Sequence, residues 1–179
     1  MNPTELTLLR RSCWLTREQA GKFFSMSERS WRYLEDGTRA IPDDMQVGML
    51  KLDALLNAMA DAVWDQHFND SAGPDGWKGV HIVLMVYASD ADLHAARSDM
   101  AGYPAELQAA AIDRARILLE GEGATVRVVA FRPDEYRAWI AARAMPDDAA
   151  SRAAWAAAFT DPPPRIGARQ AHSGEDFTK

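Results

Sequence analysis

Between Leu15 and Gly37 the chain reads LTREQAGKFFSMSERSWRYLEDG, and no other stretch limits its fold so tightly. Thr16 and Ser27 are both placed to cap a helix, because a hydroxyl there can accept from a backbone N–H of the first turn. The first helix is expected from Arg17 to Phe24, Ser25 and Met26 make a tight turn, and the second helix runs to about Asp36. Gly37 then ends it, as glycine does just past a helix C-terminus. Leu15, Ala20, Phe24, Met26, Trp31 and Leu34 recur at helical spacing and form one small core, with Gly21 leaving room where the two helices cross.

What stays outward on the second helix is Glu28, Arg29, Ser30, Arg32 and Tyr33. That surface is rich in groups that can reach base edges and phosphates in a major groove. Arg29 and Arg32 are the leading base or phosphate readers, Ser27 and Ser30 are short donors, and Tyr33 suits a phosphate or a thymine methyl. Arg17, at the start of the first helix, and Arg39, just after the second, are placed for backbone phosphates.

The segment resembles, without a gap, the helix-turn-helix of the Cro and lambda-repressor type. The matching positions are Leu15, Thr16, Glu18, Gly21, Ser25, Met26, Ser27, Trp31, Leu34, Glu35 and Gly37. Three departures stand out: glycine replaces the alanine of the first helix of the pair, serine replaces the turn glycine, and the tryptophan sits three residues early. A narrower resemblance covers residues 4 to 60. The opening ELTLLRRSCWLT, the SWRYLEDG of the second helix and the following IPDD are similar to YdiL-type (DUF1870-type) small regulators, which include certain anti-CRISPR-associated repressors. Beyond residue 60 it thins to Phe131, Tyr136, Trp139 and Ser151 to Trp155. The resemblance implies repression of a small operon, often the regulator's own, and some regulators of this type also bind RNA with the same head.

The net charge of −6 is unusual for a nucleic-acid binder, so its distribution matters. Residues 1–40 carry seven Lys/Arg against five acids, or +2, and the remaining residues carry 13 against 21, or −8. A weakly basic head on an acidic body can bind phosphates through its local field while the body discourages indiscriminate coating of DNA. No apolar run approaches a membrane span, the amino terminus lacks a secretory pattern, and Cys13 has no disulfide partner in the chain. A reducing cytoplasm fits these features.

Along the chain, a first helix is expected from about Thr4 to Ser12. Pro42, Asp43 and Asp44 open a long helix that Met45, Met49, Leu52, Leu55, Leu56, Met59 and Val63 carry to about Phe68. Its far half has more apolar surface than a small head needs, which makes it a bridge or a dimer contact. Residues 69–79 (NDSAGPDGWKG) read as a linker. Val80 to Tyr87 and Thr125 to Phe131 are strand-like, with a helix over Pro104 to Leu119 between them, which suggests a parallel, right-handed crossover. Two strands cannot cover themselves, so pairing with a second copy would complete the sheet. Further helices are expected after Pro133 and over Asp148 to Phe159, and a polar, proline-broken tail covers 161–179 and reads as disordered. The expected class is α+β: an N-terminal all-α helix-turn-helix domain (1–68), the linker (69–79) and a small β-α-β-α-α dimerisation domain (80–160).

Candidate chemistry in the second domain is thin. Asp90, Asp92 and His94 follow the first strand, where α/β folds often carry functional loops, but small acids there more often make a turn and a helix cap. His81 in an apolar strand reads as a satisfied or edge histidine. Gly121, Glu122 and Gly123 serve as a helix C-cap and turn rather than a phosphate cradle, and the four histidines and one cysteine show no metal-ligand spacing. The expectation is therefore a non-enzymatic, cofactor-free DNA-binding regulator, a homodimeric (auto)repressor on an inverted repeat of double-stranded DNA. The rival expectation is an antitoxin-like interaction module whose acidic second domain binds a partner protein. A ligand sensor built on the loop at Ser89 to Asp92 stands third.

Overall fold

The computed structural model describes residues 1–71 and 77–158. It is a mixed α+β fold, mostly helical, with eight α-helices and one two-stranded parallel sheet among the described residues. The first helix, α1 (Pro3–Ser12), starts one residue earlier than its sequence pattern suggests because Asn2 forms a capping box with Glu5, leaving Pro3 in the first turn. A second capping box, Thr16 with Gln19, starts α2 (Arg17–Phe23). The Ser27 hydroxyl starts α3 (Glu28–Glu35).

α4 (Asp43–Ser71) is the long element of the chain. It continues three residues into the expected linker; residues 72–76 lie outside the described residues, and 77–79 form a turn. The expected tail, 161–179, also lies outside them. Among the described residues no helix is long and apolar enough to cross a membrane.

β1 (His81–Val86) pairs in parallel with β2 (Thr125–Ala130), with His81 opposite Thr125 and Val86 opposite Ala130. The connection between them holds α5 (Asp90–Ala96), a short 3-10 turn (Ser98–Met100) and α6 (Ala105–Gly121). α7 (Pro133–Ala141) and α8 (Ala149–Ala158) follow β2. Parallel strands are normally buried on both faces, and helices of this chain supply that cover without a second copy. Ile82, Leu84 and Val128 pack with Ala60 of α4 and Ala115 and Leu119 of α6 on one face. On the other, Val129 and Phe131 meet Leu93 of α5, Tyr136 of α7 and Trp155 of α8, where Phe131 stands edge-on to Trp155 at a centroid distance of 5.6 Å.

The N-terminal helices have their own core, in which Leu6, Leu15, Trp31, Leu34, Met49 and Leu56 are all buried. Leu107, Ala110 and Ala111 of α6 join that same cluster. The Gln19 amide also donates to Glu106 at 2.6 Å, linking α2 to the start of α6. α4 thus lies under both halves of the chain, and its far half is covered by α6 and the sheet. Gly48 on α4 lets Phe24 approach, since a Cβ there would come within 2.6 Å of its ring.

Candidate nucleic-acid interface

α2 and α3 are held at a fixed crossing by the backbone of the turn between them. Ser25 adopts φ 56°, Met26 N–H donates to Gly21 C=O at 2.8 Å, and Ser25 N–H donates to Lys22 C=O at 3.1 Å. That pair of bonds is the Schellman arrangement, which normally places glycine at the left-handed position. A Cβ on Gly21 would lie 2.8 Å from the Met26 carbonyl oxygen. The glycine of α2 and the serine of the turn are two of the three departures from the helix-turn-helix pattern, and the first is demanded by close approach.

Trp31, Leu34 and Glu35 turn the inner side of α3 toward the core. Glu35 is a carboxylate with a side chain 1% exposed, and three helices converge on it. Arg10 of α1 donates through Nε at 2.6 Å, Arg17 of α2 through Nε at 2.6 Å, and Trp31 of α3 through Nε1 at 2.9 Å. Arg10 also reaches the Leu15 carbonyl at 2.6 Å. Burial pushes the Glu35 carboxyl up, but the bonds from Arg10, Trp31 and Arg17 outweigh it and hold it below the usual carboxylate range. α3 is thereby locked in register and rotation against α1 and α2.

The outward side of α3 carries Glu28, Arg29, Arg32 and Tyr33 together, as its helical spacing dictates. Glu28, Arg29 and Arg32 are exposed, and Tyr33 is half-buried. Arg29 Nε donates to the Tyr33 hydroxyl at 2.7 Å, and its guanidinium carbon lies 5.6 Å from the ring centroid. Arg32 stands 3.8 Å from Asp36, an exposed pair of little energetic weight that leaves the guanidinium accessible. Ser27 and Ser30 share a hydroxyl–hydroxyl contact at 2.9 Å that takes up one of their two O–H donors, and the Ser27 oxygen also accepts from Ser30 N–H in the cap. Arg39 is exposed just beyond α3, its N–H bonded to the Tyr33 carbonyl at 3.1 Å. Arg17 differs from the rest: its side chain is 38% exposed, and its Nε is committed to Glu35.

Sequence reasoning missed Arg10 and the role of Glu35. The available signal was the four-residue step from Trp31 to Glu35, which puts the acid on the tryptophan's side of α3. In the second half, the polar groups after β1 are spent on structure. The Ser89 hydroxyl caps α5 and donates to Asp92 at 2.7 Å, Asp90 accepts from Ala105 N–H at 2.7 Å, and His94 Nε2 lies 2.8 Å from the Tyr103 carbonyl. Asp90 thereby caps α6. His81 is exposed at the start of β1. Among the described residues no group of three or more His, Cys, Asp or Glu side chains is arranged to hold a metal ion. No protein-family model matches the chain, and no curated protein matches it in sequence.

Proposed function

We propose that this protein is a sequence-specific DNA-binding transcriptional regulator whose α3 enters the major groove. The observation that carries the reading is the division of α3 into two sides. Its inner side is fixed by the buried Glu35 carboxylate, and its outer side presents Arg29, Arg32 and Tyr33 with Glu28. A base-reading helix needs both, because discrimination depends on holding donors in one geometry while leaving them accessible. α2 then crosses the backbone, with the terminal nitrogens of Arg17, and Arg39 beyond α3, directed to phosphates. Arg29, preset against Tyr33, exchanges that bond for a guanine edge or a phosphate.

One head contacts too few base pairs for useful specificity, so the protein acts as a homodimer on an inverted repeat, with half-site centres about 34–36 Å apart. Repression follows from occupying a promoter, and the acidic body limits non-specific association. Selection from a pool of random duplexes tests the reading whatever the operator sequence. The expected product is a two-fold symmetric motif with half-sites one helical turn apart; a pool with no enriched sequence contradicts it.

A further inference from the structure

A cavity of about 520 Å³ opens where α2 meets the second half of the chain, within the size range of small-molecule sites. One wall is α2, through Gln19, Lys22 and Phe23; the other is built from α5 and the start of α6. Phe23 and Tyr103 face each other across this joint, their ring centroids 6.0 Å apart and the planes tilted by 31°. No residue of the outward side of α3 lines the cavity, so the DNA-binding reading gives it no role.

The charges around the cavity decide what it can hold. Lys22 is largely exposed and pairs with Glu18 at 2.7 Å. The positive N-terminal end of α6 is met by Asp90, which accepts from Ala105 N–H at 2.7 Å. Each local positive charge therefore has its own acid. Glu106 is different: it is half-buried, it accepts a bond of 2.6 Å from the neutral Gln19 amide, and no cation among the described residues pairs with it. The unused atoms are acceptors as well. His94 Nε2 lies 2.8 Å from the Tyr103 carbonyl, which only accepts, so the neutral ring carries its proton on Nε2 and leaves Nδ1 as an acceptor. Asp90 and Glu106 each spend one carboxylate oxygen on these structural bonds and keep the other.

We propose that this cavity binds a small organic cation, an amine or guanidinium compound, with its charge at Glu106 and its carbon skeleton against Phe23 and Tyr103. Aromatic rings beside a carboxylate suit such a ligand, because the rings attract the cation and shield its apolar stem from water. An anion would meet the uncompensated Glu106 and find both nearby positive charges already answered. The site goes beyond the DNA-binding reading: a ligand held here touches α2, which packs beside α3, and so occupies the position of an effector.

Isothermal titration of the full chain with agmatine, tyramine and, as the anionic control, glutarate tests it at about 0.15 M salt. The expected result is saturable binding of at least one of the two cations with a Kd below about 1 mM, and none of glutarate. Glu106→Gln keeps an oxygen for the Gln19 amide while removing the charge, and matching circular-dichroism melts show that the fold is kept. That variant is expected to bind the cation about tenfold or more weakly. Lys22→Gln, which removes a competing cation from the wall, is expected to bind it as tightly or more so. A Kd above about 1 mM for both cations, unchanged affinity in Glu106→Gln, weaker binding in Lys22→Gln or a preference for glutarate overturns the proposal. The titrations contain no DNA, so their failure and that of the DNA-binding reading are seen separately.

Discussion

Arg10 and Glu35, twenty-five residues apart, are joined in the core by an Nε–Oε1 bond of 2.6 Å. Around that bond the three N-terminal helices are assembled, because the same carboxylate also receives Arg17 and Trp31. Truncating it leaves two arginines without their shared counter-charge. Glu35→Ala is expected to destabilise the protein by about 3–5 kcal/mol, the range for breaking a buried pair by removing one partner. Urea denaturation measures this, and a loss below about 1 kcal/mol would mean that the network contributes little.

The same carboxylate makes stability depend on pH. An unperturbed glutamate titrates near pH 4.3, and the folded-state value of Glu35 lies below that. The folded protein therefore binds fewer protons than the unfolded chain between these two values. The Glu35 contribution is complete above about pH 4.3 and is lost as pH falls through the folded value. Glu35→Gln, which cannot ionise, is expected to show a shallower decline in stability over that acidic window. Parallel declines in both proteins would remove Glu35 from the account.

The turn between α2 and α3 makes an opposed pair of predictions. Ser25→Gly places a residue suited to φ 56° where serine is strained, and is expected to stabilise by about 0.5–1 kcal/mol after the entropy cost of glycine. Gly21→Ala drives a Cβ against the Met26 carbonyl and is expected to destabilise. Thermal melts of both variants check the signs, and a stabilised Gly21→Ala would contradict the close crossing.

The two arginines of α3 are separable by salt. If Arg29 or Arg32 reads a base, its alanine variant loses about 1–3 kcal/mol of specific binding and relaxes preference at one position. If it contacts a phosphate, binding weakens uniformly and the salt slope falls by about one. Titrations of each variant on specific and scrambled duplexes at several salt concentrations assign the roles.

Much of the N-terminal half was legible because its signals are local. Thr16 and Ser27 act on N–H groups three residues away, so their capping can be read from short stretches of sequence. The run of β-formers from Val80 to Tyr87 likewise announced a strand paired in parallel, as β1 is with β2. Glu35 was not legible, because an acid in SWRYLEDG looks solvated until Arg10 and Arg17 are brought beside it from other helices. The extent of α5 was also not legible: the small acids after β1 read as a turn and a helix cap, but its seven residues are too few for a clear period. That α6 closes the N-terminal core through Leu107, Ala110 and Ala111 depends on packing across most of the chain. Of the proposed contact residues, helical spacing alone grouped Glu28, Arg29, Arg32 and Tyr33, but it could not show Arg17 bonded inward.

A gel-shift with the DNA immediately upstream of the gene for this protein, at near-physiological salt with excess competitor DNA, tests the central claim most directly. The account predicts a sharp, competitor-resistant shift that disappears in a folded Arg29→Ala, Arg32→Ala double variant. A shift retained in that variant, or no shift by folded wild-type protein, contradicts the assignment of α3 as a reader of that DNA.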